Sequence, residues 1–127
     1  MSESESNSSH NTAVDIRSWL AAIVDSSNDA IISKDLDGVI STWNLAAQHL
    51  FGYSEREAVG QPVTIIIPAD LHDEEQEILR RVRLGQRIDH YETLRLTRDG
   101  RTLDVSITIS PVRNAAGAIV GASKILR

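Results

Sequence analysis

Thr102 to Val112 is the segment that most restricts the fold of this chain. Leu103, Val105, Ile107 and Ile109 alternate with Asp104, Ser106, Thr108 and Ser110. A period of two marks a strand with one buried face and one wet face. Turns bracket it. Arg98-Asp99-Gly100-Arg101 supplies the Asp-Gly pair favoured in tight hairpins, and Asn114-Ala115-Ala116-Gly117 reads as a second turn. Ile88 to Thr97 and Ile119 to Leu126 are then its antiparallel neighbours. The result is a three-stranded meander whose apolar face must be covered.

The upstream half offers the cover. Asp29 to Lys34 and Val39 to Thr42 form a hairpin around Asp35-Leu36-Asp37-Gly38. Asn44 caps a short helix that Gly52 stops. Ser54 and Glu57 form a capping box for a second helix, ending by Gly60. Val63 to Ile67 is an apolar run closed by Pro68. Asp70 to Leu84 predicts the longest helix, acidic at its start and basic at its end, as the helix dipole favours. Further upstream, Ile16, Leu20, Ile23 and Val24 repeat at helical spacing beside Trp19, so a separate amphipathic helix is expected over residues 12–25. Residues 1–11 are almost all polar and read as a disordered tail. Helices collected on one face of an antiparallel sheet make an α+β fold, and the first hairpin brings that sheet to five strands.

Composition narrows the function. With 127 residues there is room for one domain. A formal net charge of −5 argues against a nucleic-acid footprint. The sequence contains no cysteine, which excludes thiolate chemistry and zinc–thiolate sites. No apolar run approaches the roughly 20 residues of a membrane helix. The reading is cytoplasmic, with neither membrane nor nucleic acid as a partner.

The joints of this pattern resemble those of a PAS domain. The residues that carry the likeness are Asp29-Ala30-Ile31, Asp37-Gly38, Trp43-Asn44 with Ala47, Phe51-Gly52-Tyr53-Ser54, Glu57 with Gly60, Ile67-Pro68, Gly85 and Arg98-Asp99-Gly100. The resemblance covers residues 15–127, and residues 26–127 are assigned to the domain itself. It implies a PAS fold, a signalling role without catalysis, and a homodimer. It also implies a downstream output domain in the same polypeptide, such as the histidine kinase of a two-component system, so the chain is expected to be part of a longer sensor protein. The dimer candidates are Ile16, Trp19, Leu20 and Ile23 of the flanking helix, with Leu94 and Leu96 on the outer sheet face.

The resemblance also frames the ligand question. Haem-binding members place a proximal histidine on the long helix, which here falls at Glu75. Their distal arginine falls near Tyr91. Light-sensing members use a cysteine to form a flavin adduct, which this chain cannot do, so only non-covalent flavin is left open. Neither haem nor flavin is expected. His72 reads as a solvated residue at the helix start, and no metal site is expected because two ligands do not close one. The alternatives are a dry, filled core or a small-ligand pocket. Its candidate lining is Ile31, Ile40, Phe51, Ile65, Ile67, Leu79, Val82, Tyr91, Leu103, Val105, Ile107 and Ile109. Asn44, Tyr91 and Thr93 are the polar groups available to orient a ligand. No nucleophile and base stand in a catalytic pattern.

Overall fold

A computed structural model describes residues 18–127. The polar tail and Ile16 lie outside those residues. Helix α1 occupies residues 18–26. Strands β1 (Ala30–Asp35) and β2 (Ile40–Trp43) follow, then helices α2 (Leu45–Phe51) and α3 (Glu55–Ala58). Two 3₁₀ turns, Val63–Ile66 and Ala69–Leu71, lead into α4 (His72–Arg83). Strands β3 (Ile88–Leu96), β4 (Thr102–Arg113) and β5 (Ile119–Leu126) complete the chain. One antiparallel sheet holds all five strands in the order β2-β1-β5-β4-β3. The last strand therefore lies at the centre, between the first strand and the meander.

Local chemistry explains the joints. Asn44 accepts from the Ala47 amide, and Gly52 leaves α2 at φ 85°. Side-chain and backbone partners of Ser54 and Glu57 close the capping box of α3. The long helix starts at His72 rather than Asp70, because Pro68 opens a 3₁₀ turn that occupies residues 69–71.

Two strands depart from simple alternation. The buried residues of β1 are Ala30, Ile32 and Lys34, not Ile31. In β3 the register shifts between Ile88 and Tyr91, and His90 there takes φ 50°. This bulge re-aims the strand. Tyr91, Thr93 and Arg95 turn toward α4 as a result, and Leu94 lies on the outer face. The expected alternation of β4 holds, with Val105, Ile107 and Ile109 buried.

The aliphatic core is continuous. Ile32, Ile40, Trp43, Phe51, Ile66, Val82, Ile107 and Leu126 belong to it. Trp43 and Phe51 pack at 5.5 Å between ring centroids, and the Trp43 indole N–H donates to the Tyr53 carbonyl at 2.9 Å. The motif residues of this segment thus close the helical side of the core.

Candidate functional site

The inner sheet face carries charge where the sequence pattern predicts aliphatic side chains. Ile32 pairs with Lys124, and Lys34 with Ala122, so the two lysines are diagonal neighbours on β1 and β5. Glu75 of α4 reaches down between them. Lys124 Nζ donates to Glu75 Oε2 at 2.9 Å, and Lys34 Nζ pairs with Glu75 Oε1. All three side chains are essentially sealed from solvent, at 1–3% exposure.

A second group lies beside it. Adjacent residues on a helix point about 100° apart, so Glu74 turns away from the lysines toward β3. Thr93 Oγ1 donates to Glu74 Oε2 at 2.7 Å, and Arg95 Nη1 meets Glu74 Oε1 at 2.9 Å. The same Nη1 donates to the Leu94 carbonyl at 2.8 Å. Arg95 is fully buried, yet its Nε and Nη2 have no acceptor from the protein.

Electrostatics follow from two amines sharing one carboxylate in a dry interior. Burial, then the charge of Lys124, pushes the Lys34 ammonium down to about 5. Burial, then Arg95, pushes Lys124 down to about 7, while Lys34 and Glu74 pull it the other way. Burial also lowers Arg95, against the pull of Glu74. The Tyr91 phenol is raised by burial and by Glu74.

The candidate pocket residues divide. Phe51, Val82, Ile107 and Ile109 are fully buried, and Ile40, Ile67, Leu79 and Val105 nearly so. Ile65 and Leu103 pack at the margin of the core. Two placements differ from expectation. Ile31 faces outward, because β1 buries the alternate set. With Leu20, Val24, Trp43 and Val59 it lines a cleft of about 710 Å³ beneath α1. Tyr91 stands at the rim, 36% exposed, because the His90 bulge places it beside the sheet edge.

Asn44 is occupied by the fold itself. It accepts from the amides of Ile31 and Ala47 and donates to the carbonyls of Val24 and Asp29. Those four bonds leave it nothing for a ligand. Asn44→Ala is expected to cost about 2 kcal/mol in urea denaturation, through the lost cap and an unpaired Ile31 N–H. Asn44→Asp should recover only part of this, since it restores the acceptors alone.

Lys34, Lys124 and Arg95 were absent from the sequence-based candidates. In the sequence, Glu74 belongs to the acidic, dipole-complementing start of the helix and Glu75 takes the position of a haem ligand, and as metal ligands beside His72 the two do not close a site. His72 stands at the start of α4, with Nε2 3.1 Å from the Ile67 carbonyl. On the outer side, Trp19, Leu20 and Ile23 are exposed at 72, 59 and 60%. Leu94 is also exposed, and Leu96 is half-buried.

The profile of the PAS fold matches residues 20–127. The chain belongs to the PAS family. A PAS domain from Colwellia psychrerythraea superposes with a TM-score of 0.79 at 31% identity, covering 88% of this chain and 95% of that one. The PAS domain of an HTR-like protein from Haloarcula marismortui gives 0.80 at 24% identity, covering 95% and 98%, and supports the fold alone. Among curated proteins, this PAS domain is 31% identical over 100 residues to the signal transduction histidine-protein kinase AtoS of Escherichia coli. That match covers 79% of this chain and 16% of AtoS. Over 49 residues it is 45% identical to the sensor protein FixL of Bradyrhizobium diazoefficiens, covering 39% of this chain and 10% of FixL. This PAS domain is therefore homologous to those of sensor histidine kinases and is a signalling module. Among the described residues, no helix is long and apolar enough to cross a membrane.

Proposed function

We propose that this PAS domain is a non-catalytic, cytoplasmic dimerisation and relay module that passes a signal to an output domain in the same polypeptide. The observation that carries this reading is the exposed apolar stripe of α1, Trp19, Leu20 and Ile23, on a chain homologous to a kinase many times its length. Three large side chains left open on one helix need a partner surface. A second copy supplies it through its own α1 and the outer sheet face, where Leu94 and Ile125 are also exposed. Sedimentation velocity tests this. The wild-type chain should run as a dimer, and Trp19→Ala with Leu20→Ala should run as a folded monomer. Unchanged sedimentation of the double variant would remove α1 from the interface.

A second reading makes the interior a small-ligand site. The buried guanidinium edge of Arg95 favours it, since an unpaired buried donor is costly. Neither haem nor a thiol-linked flavin fits that reading. Glu75 stands where the family's haem histidine is expected and is held by two lysines, and the chain has no cysteine for a flavin adduct.

A further inference from the structure

The first half of α4 is anchored to the sheet by charge rather than by apolar packing. Among residues 69–77 the one buried side chain is Glu75, and Leu71 touches only the margin of the core. The apolar anchors of the helix, Ile78, Leu79 and Val82, all lie in its second half. The 3₁₀ turn Ala69–Leu71 before it buries nothing. Glu75 is therefore the peg that holds this stretch down, through Lys34 of β1 and Lys124 of β5. Glu74 adds Thr93 and Arg95 of β3. Apolar anchors are indifferent to pH. This peg is not, because its partners are amines sealed from water.

We propose that residues 69–77 form a proton-released strap over the inner sheet face, closed at alkaline pH and freed as Lys124 and Lys34 take up protons. In the closed state burial holds both amines well below their ordinary value, so Lys34 is unprotonated at neutral pH and Lys124 is near its midpoint. Charge added to the sealed cluster has no water to solvate it. Lifting the strap lets both lysines reach water, where their ordinary value of about 10.4 returns. Opening is thus coupled to proton uptake, and it is local because the second half of α4 keeps its own apolar anchors. As pH falls, each lysine favours opening by up to about tenfold per pH unit, both above pH 7 and Lys34 alone between about 7 and 5. The charged groups that face these amines are Glu74 and Glu75 from α4 and Arg95 from β3, with Tyr91 beside Glu74. β2 and β4 present the aliphatic Ile40 and Ile109 next to them. The imidazoles of this region point elsewhere: His72 meets the Ile67 carbonyl, and His90 is exposed on the β3 bulge. Such a strap gives the signalling module an input, proton activity, that needs no ligand in the interior.

The chain has no cysteine, so a pair introduced at two exposed sites, Gln76→Cys on the strap and Asp104→Cys on β4, takes spin labels specifically. Pulsed electron resonance measures the distance between the labels from pH 9 to pH 6, with circular dichroism on the same samples. The expected result is one short distance at pH 9, and a longer one whose ratio to it grows at least about tenfold by pH 6. Lys34→Met, Glu75→Leu, Lys124→Met in the labelled chain should keep the short distance throughout. His72→Gln with His90→Asn should leave the response intact. A distance that does not move with pH in the folded protein overturns the proposal. So does a response that persists in the triple variant, or one that is lost in the histidine variant. A longer distance that appears only as circular dichroism is lost overturns the strap as a separate unit, since the opening is then global unfolding.

Discussion

Glu75→Gln is expected to destabilise the domain by about 3–5 kcal/mol at neutral pH, the usual cost of removing one partner from a buried ion pair. The amide leaves Lys34 and Lys124 facing each other with no anion between them. Such a loss is a large part of the stability of a domain of this size, about 5–15 kcal/mol. Urea denaturation of the wild type and the variant measures it. The triple variant Lys34→Met, Glu75→Leu, Lys124→Met should recover most of the loss, because the cluster already sits inside an aliphatic core. A Glu75→Gln cost below 1 kcal/mol would mean that the lysines escape to solvent.

The same cluster sets a pH dependence. Both lysines are held below their ordinary value in the folded state, Lys34 at about 5 and Lys124 at about 7. Between those values and about 10.4 the unfolded chain binds a proton that the folded chain does not. Stability therefore rises with pH, from about 5 upward for Lys34 and from about 7 upward for Lys124. In the triple variant this part of the slope should vanish.

Gly121→Ala is the second large effect, expected at about 3 kcal/mol or more. Gly121 pairs with Asp35 on one side and Val112 on the other. A methyl group there would stand 2.2 Å from the Lys34 carbonyl oxygen. That neighbour is backbone in a central ladder, so it cannot swing away as a side chain could. The loss should be seen as a lower urea midpoint with an unchanged slope. A cost under 1 kcal/mol would show that β1 and β5 separate easily at this point.

These two residues show where the sequence stops being informative. The alternation of β4, the Asp-Gly turn, the capping box and the Trp43–Tyr53 joint were all legible, because each is a local pattern with a local cause. The five strands and the helical cover followed from them. Gly121 was not legible, since its need for glycine comes from Lys34, far away in the chain. The ionic cluster was hidden for a similar reason. Lys34 ends an apolar strand, and Lys124 interrupts one, so each alone reads as an edge residue snorkelling to water. Only the pairing of β1 with β5, and the descent of Glu75 onto them, reveals that neither reaches water. Ile31 was misplaced by one residue because Ile31 and Ile32 are adjacent, and a strand whose inner face carries a buried lysine gives no polar marker for that face. Arg95 shares the inward phase of Tyr91 and Thr93, yet an arginine in a strand reads as a solvated residue unless its buried partner, Glu74 on a distant helix, is known.

The position of β5 has a consequence for how the domain is made. Ala30 pairs with Leu126, so the opening and closing strands of the domain are ladder neighbours. Without β5 the sheet is two separate hairpins, β1–β2 and β3–β4, with no ladder between them. Joining them requires closure of a loop nearly as long as the domain, which slows folding in proportion to the entropy of that closure. On the ribosome, the emerging chain would keep its unpaired strand edges until the final strand cleared the exit tunnel. The domain would then assemble in one late step, with β5 as the piece that locks both halves together.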